Sequence, residues 1–188
     1  HLAGIVPAVY SVSKGLGRMR LKAILAGAVL ALGLSTGVAH AQDSMVNRDD
    51  PAFLTVAAGY YDVNDDWDAA EFRLEYWSDS KWWVFKPFFG VMGTSDAAFN
   101  AFAGIRMDLY FGRRIVVTPS FAPTLYHDGD GKDLGHSVEF RSGLELAYRF
   151  DNRARLGLAL HHISNASLDD NNPGAEILAI VYSLPLSK

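Results

Sequence analysis

The chain has 188 residues, enough for one domain, and its 49% hydrophobic and 20% charged content excludes a disordered chain. It holds no cysteine, which excludes disulfides, thiolate metal sites and a thiol nucleophile. The net charge is −4, and the four cations Lys14, Arg18, Arg20 and Lys22 all precede residue 42 with no acid among them. Without residues 1–41 the net charge is −8, a poor match to nucleic acid.

The first predicted element is a targeting segment over residues 19–41, preceded by an upstream extension over 1–18 that reads as non-structural. Met19-Arg20-Leu21-Lys22 is a basic start, Ala23 to Leu34 is apolar, and Ala39-His40-Ala41 is a small-x-small cleavage site. The mature chain is expected to be residues 42–188. It contains no run of about 18 apolar residues, so no membrane-spanning helix is indicated there.

From residue 42 onward the period is two, the signature of strands. After a strand near 52–62, Phe72, Leu74 and Tyr76 alternate with Glu71, Arg73 and Glu75. Trp83, Phe85, Phe89 and Val91 then share a face opposite Lys86. Ala101, Ala103, Ile105, Met107, Leu109 and Phe111 oppose Asn100, Arg106, Asp108 and Tyr110. Ile115, Val117, Phe121 and Leu125 follow the same rule, as do Val138 to Phe150, where Glu139, Arg141, Glu145 and Arg149 take the other face. Strands near 154–164 and 174–184 bring the number to about eight, each near the 9–11 residues that cross a bilayer as a tilted strand.

Matched Arg and Glu on the face opposite the apolar one suit the interior of a small closed barrel whose greasy face meets lipid. The expected fold is therefore all-β, an eight-stranded antiparallel transmembrane β-barrel. Short turns at 78–80, 112–113 and 151–152 alternate with longer connections at 62–68, 93–98, 127–135 and 165–173, as in an outer-membrane barrel. Pro87, Pro119 and Pro123 fall inside strands and call for bulges or distorted pairing. Trp77, Trp82, Trp83, Tyr110 and Tyr148 lie near strand ends, where an aromatic girdle is expected.

The chemistry concentrates at the last hairpin. His162 and Ser164 continue the parity of Leu156, Leu158 and Leu160, so they share one face. A hairpin centred near residue 169 places Glu176 opposite His162, at the separation of cross-strand neighbours. Nucleophile, base and orienting carboxylate are the three parts of serine-based acyl hydrolysis. On an apolar face near the rim they would meet an ester of a membrane lipid. His161, of opposite parity, is expected to point into the barrel without a catalytic role. His127 to Asp133 faintly resembles a calcium loop but lacks the twelfth-position Glu, and reads as a flexible acidic outer loop. His136 has no evident partner. No metal site is expected.

The run His162-x-Ser164-Asn165-Ala166, with Asn172-x-Gly174-x-Glu176 downstream, resembles the lipid A 3-O-deacylases of the PagL family. The resemblance is densest from about Leu160 onward. It implies an eight-stranded outer-membrane esterase with its active site facing the outer leaflet. It assigns Ser164 as nucleophile, His162 as general base, Glu176 as its orienter and Asn172 to the oxyanion hole. Backbone N–H groups near Gly174 could assist there, since glycine permits close approach. Asn165 matches a motif position to which the resemblance assigns no definite role; organising the loop is one reading. The resemblance implies lipid A of lipopolysaccharide as substrate, outer-membrane lipids as surroundings and no cofactor; a homodimer is left open. Competing readings are a non-enzymatic barrel acting in adhesion or membrane integrity, a phospholipase on glycerophospholipids, and a soluble lipocalin-like binder.

Overall fold

A computed structural model of the chain describes residues 50–65 and 69–186. The expected leader over 19–41 and the extension before it lie outside the described residues. Among the described residues nine strands appear in order: β1 (Phe53–Tyr61), β2 (Ala69–Trp77), β3 (Lys86–Thr94), β4 (Phe99–Arg106), β5 (Leu109–Phe111), β6 (Ile115–His127), β7 (Val138–Arg149), β8 (Arg155–Ser164) and β9 (Ala175–Pro185). Every pairing is antiparallel. β1 pairs with both β2 and β9, and β4 pairs with both β3 and β6, so the sheet closes on itself. β4 and β5 both lie against β6 and form one stave, giving the eight staves expected.

The split between β4 and β5 has a physical cause. Pairs run Arg106↔Ser120 and then Leu109↔Val117, so the register does not slip. Met107 faces Pro119 between them. Its N–H donates to the Pro119 carbonyl at 3.1 Å, and Pro119 has no N–H to return. The ladder between β4 and β6 thins again between Phe102↔Thr124 and Ile105↔Phe121, where Pro123 sits. Pro87 keeps its place between Lys86 and Phe88 in the pairing with β4. Of the bulges or distorted pairing anticipated at these prolines, gaps in the ladder opposite Pro119 and Pro123 are what the structure shows, with no slip in register. Each proline removes a donor while the strand keeps its course.

The sheet is polar inside and apolar outside. Phe72, Leu74, Phe89, Leu146, Leu158 and Ile180 all face outward, with Leu158 56% and Ile180 61% exposed. Glu71, Arg73, Glu75, Arg106, Asp108, Glu139, Arg141, Glu145 and Arg155 are buried in the lumen. There Arg73 pairs with Glu71 and Glu75 at 2.9 Å, Arg141 with Glu75 at 3.2 Å, and Arg155 with Asp108 at 3.1 Å and Asp50 at 3.0 Å. Arg141 also lies over Phe102, and Arg155 over Phe53. The paired charges among these are tolerable away from water because they are matched and hydrogen-bonded, whereas neither carboxylate oxygen of Glu139 has a hydrogen-bond partner. His161 points into this lumen, as its parity predicts. A side chain at Gly143, directly across the ladder, would strike the His161 ring at 1.9 Å, so glycine there makes room for it.

The connections β1–β2, β3–β4 (95–98), β6–β7 (128–137) and β8–β9 (165–174) lie at one end, and 78–85, 112–114 and 150–154 at the other. The alternation of lengths is looser than expected: 95–98 is tight, whereas 78–85 is extended. In the latter, Trp82 and Phe85 exchange two backbone hydrogen bonds around a turn with Trp83 at φ +58°. That turn thrusts Trp82 and Trp83 outward, 78% and 82% exposed. Trp77 and Tyr110 depart from the girdle reading. Both are buried inside, Trp77 under the Arg106 guanidinium and Tyr110 donating its hydroxyl to Asp50.

Candidate active site

The alternation that sends Leu156, Leu158 and Leu160 outward also sends out His162 and Ser164, the last residues of that face of β8. β9 runs back beside it with His162 directly opposite Glu176. The predicted cross-strand neighbours are thus formed. His162 Nδ1 lies 3.2 Å from Glu176 Oε1. The imidazole is a third exposed, while the carboxylate is nearly buried. With Nδ1 engaged, Nε2 is the nitrogen left for proton transfer.

Ser164 is half-buried, one step farther along the same face and opposite Phe140 of β7. Two residues of strand rise span about 6.6 Å. No hydrogen bond joins Ser164 to His162; the ring's bond is to Glu176. Nucleophile and base are therefore neighbours whose contact waits on a side-chain rotation, which is common in sites without substrate.

The connection from β8 to β9 is built around Asn165, which is fully buried. Its Nδ2 donates to the carbonyls of Leu134 at 3.0 Å and Asn171 at 2.8 Å, and its Oδ1 accepts from Ser167 N–H at 2.9 Å. These bonds hold Ala166 and Ser167 at φ +53° and +66°, a left-handed pair that neither residue favours alone. Asn172 Oδ1 accepts the Asn165 backbone N–H at 3.1 Å. That bond fixes the amide so that its Nδ2 remains the free donor. Gly174 sits at φ +67° against the imidazole: a Cβ there would lie 3.0 Å from His162 Cε1. Its glycine identity gives both the backbone conformation and the space for the ring.

Sequence reasoning missed the loops that close over this hairpin. Leu134 is buried among Ile163, Ala175 and Ile177. Lys132 is buried too and pairs with Asp62 at 2.8 Å and Asp65 at 2.7 Å. The segment His127–Asp133, expected to be a flexible acidic loop, is thus tied down at the buried Lys132, next to the buried Leu134. A lone leucine in an otherwise polar segment was the available signal. His136, expected to lack a partner, accepts the Val138 N–H on Nδ1 at 2.9 Å. Val63 N–H donates to the Glu176 carbonyl at 3.0 Å. No spacing pattern links residue 63 to residue 176, so nothing in the sequence marks it. Among the described residues no cluster of three or more His, Asp or Glu side chains is arranged to hold a metal ion.

The sequence matches the family model described as Lipid A 3-O-deacylase (PagL) over residues 55–185. Among solved structures, the crystal structure of the outer membrane enzyme PagL aligns with a TM-score of 0.59 at 19% identity, covering 71% of this chain and 99% of that one. Neisserial surface protein A aligns with a TM-score of 0.54 at 7% identity, covering 72% and 97%. A de novo designed transmembrane β-barrel aligns with a TM-score of 0.51 at 12% identity, covering 74% and 100%. At these identities the structural likenesses speak to the fold alone. No curated protein matches the sequence significantly.

Proposed function

The chain belongs to the lipid A 3-O-deacylase (PagL) family, and on that premise we propose that it removes the ester-linked 3-hydroxyacyl chain at position 3 of lipid A. Ser164 is the nucleophile, His162 the general base and Glu176 its orienter. The observation that carries this reading is the His162–Glu176 hydrogen bond on the outward face of the barrel, one strand step from Ser164. A soluble hydrolase would turn such a group toward a water-filled cleft. Here the groups border the apolar belt, where a lipid ester already lies.

In the proposed reaction the Ser164 oxygen adds to the acyl carbonyl as His162 Nε2 takes the hydroxyl proton, and Glu176 stabilises the imidazolium through Nδ1. The carbonyl electrons move onto oxygen, where Asn172 Nδ2 and backbone N–H groups near Gly174 are the proposed donors. Collapse expels the sugar alkoxide, which takes the proton from His162, and leaves an acyl-Ser164. Water, deprotonated by His162, then attacks that ester, releases the 3-hydroxy fatty acid and restores Ser164. The reaction needs no cofactor.

The proposed setting is the outer membrane, reached through a leader cleaved after residue 41, with the 62–68, 128–137 and 165–174 loops at the outer leaflet. Ser164→Ala and His162→Ala are expected to abolish fatty-acid release from lipopolysaccharide while leaving a folded, heat-modifiable barrel. Full activity in both variants would refute the assignment. Mass spectrometry of lipid A from cells with and without the gene tests the substrate: loss of a 3-hydroxyacyl group supports lipid A, and deacylated glycerophospholipid supports a phospholipase.

A further inference from the structure

We propose that Ser142, on β7, is a specificity-determining residue that hydrogen-bonds the hydroxyl of the 3-hydroxyacyl chain. The inference rests on the Ser164–His162–Glu176 reading and extends that site from the ester to the chain it carries. The outward face of β7 runs Val138, Phe140, Ser142, Leu144 and Leu146. All but Ser142 are apolar, as a face turned to lipid requires. Ser142 interrupts the series, and it is exposed. Its hydroxyl has no hydrogen-bond partner among the described residues. A bare hydroxyl facing hydrocarbon is costly unless something supplies a partner.

The strand register locates that partner. Ser142 pairs with His162, and His162 pairs with Glu176, so the three lie in one row across β7, β8 and β9. Phe140, the preceding outward residue of β7, pairs with Ser164. Ser142 and Ser164 are therefore diagonal neighbours on one face, about 7–8 Å apart. That is too far for a direct hydrogen bond and leaves room for the head of an acyl chain between them. In a 3-hydroxyacyl ester the hydroxyl stands two carbons from the carbonyl that Ser164 attacks, and beyond the ester it is the chain's own polar group. With the carbonyl at Ser164, a chain turned toward β7 brings this hydroxyl over Ser142. Ser142 is also the smallest of the outward side chains on β7, so it leaves a notch. On its other side it pairs with Phe121 of β6, whose ring stacks on Phe140 with centres 6.1 Å apart and planes at 13°. The two rings and Leu144 give the notch apolar sides for the methylene groups, and Ser142 takes the hydroxyl.

The test uses the full chain in detergent micelles with two synthetic acylated glucosamine phosphates, identical except that the ester chain at position 3 carries or lacks its 3-hydroxyl. The parent is expected to favour the hydroxylated ester about ten-fold in kcat/KM. Ser142→Ala is expected to lose that preference by slowing on the hydroxylated ester alone, and Ser142→Thr, which keeps a hydroxyl, to retain it. The ratio of the two esters is internal to each preparation, so a lower folded fraction does not move it. No preference in the parent, an unchanged preference in Ser142→Ala, or an equal loss on both esters overturns the proposal. Activity lost in Ser164→Ala with an unchanged preference in Ser142→Ala overturns this proposal and leaves the triad standing. Activity kept in Ser164→Ala but lost on both esters in Ser142→Ala makes Ser142 the nucleophile and overturns both readings.

Discussion

At Gly174 two demands meet in one residue. Its backbone sits at φ +67°, and the space where a side chain would begin is held by the His162 ring and the Ile163 carbonyl. An alanine there would strain the backbone by about 1–2 kcal/mol and press its Cβ on the imidazole at 3.0 Å. We expect Gly174→Ala to fold, to lose about that much stability in a urea titration, and to lose activity beyond what the stability loss accounts for. Equal activity in parent and variant would show that the ring tolerates displacement. This position was legible in the sequence as a motif glycine, and the His162–Glu176 pairing followed from parity and hairpin length. Lys132 was not legible, because its role arises from loops packing over the rim, and loop packing leaves no periodic trace.

Strands explain why so much else was readable. A residue's face in a sheet is set by its parity alone, so one correct pairing fixes every side chain along a stave. The inward Glu71, Arg73 and Glu75, and Glu139, Arg141 and Glu145, follow from that rule. Connection lengths were less readable, since hydrophobic alternation fades where strands leave the sheet: the 78–85 turn begins eight residues before β3 resumes the pattern at Lys86. The prolines of β6 mark the weakest ladder. Pro119 and Pro123 both withhold donors from the β4 side, while the β6–β7 ladder runs unbroken from Ile115 to Leu125. Amide hydrogen exchange in micelles is therefore expected to be faster along the β4–β6 seam than along β6–β7. Uniform protection of the two ladders would contradict this.

For the whole molecule, bilayer and lumen act as two different solvents on the two faces of one sheet. Leu158, in the middle of β8 and facing outward, reports on the first. Leu158→Arg is expected to destabilise the barrel by about 2–4 kcal/mol in lipid vesicles if it lies near the midplane. In a soluble protein an arginine at so exposed a position would be nearly neutral. An unchanged unfolding midpoint in vesicles would argue against an apolar belt there.

The charged lumen also constrains how the molecule is made. Arg141 and Arg155 find their acids at positions distant in sequence: Arg141 reaches Glu75, and Arg155 reaches Asp50 and Asp108. An open sheet entering hydrocarbon strand by strand would carry these ions unpaired, along with the bare edges of β1 and β9. Ring closure must therefore precede or accompany entry into the bilayer, so assembly proceeds as a single concerted passage with the first and last strands meeting at its threshold.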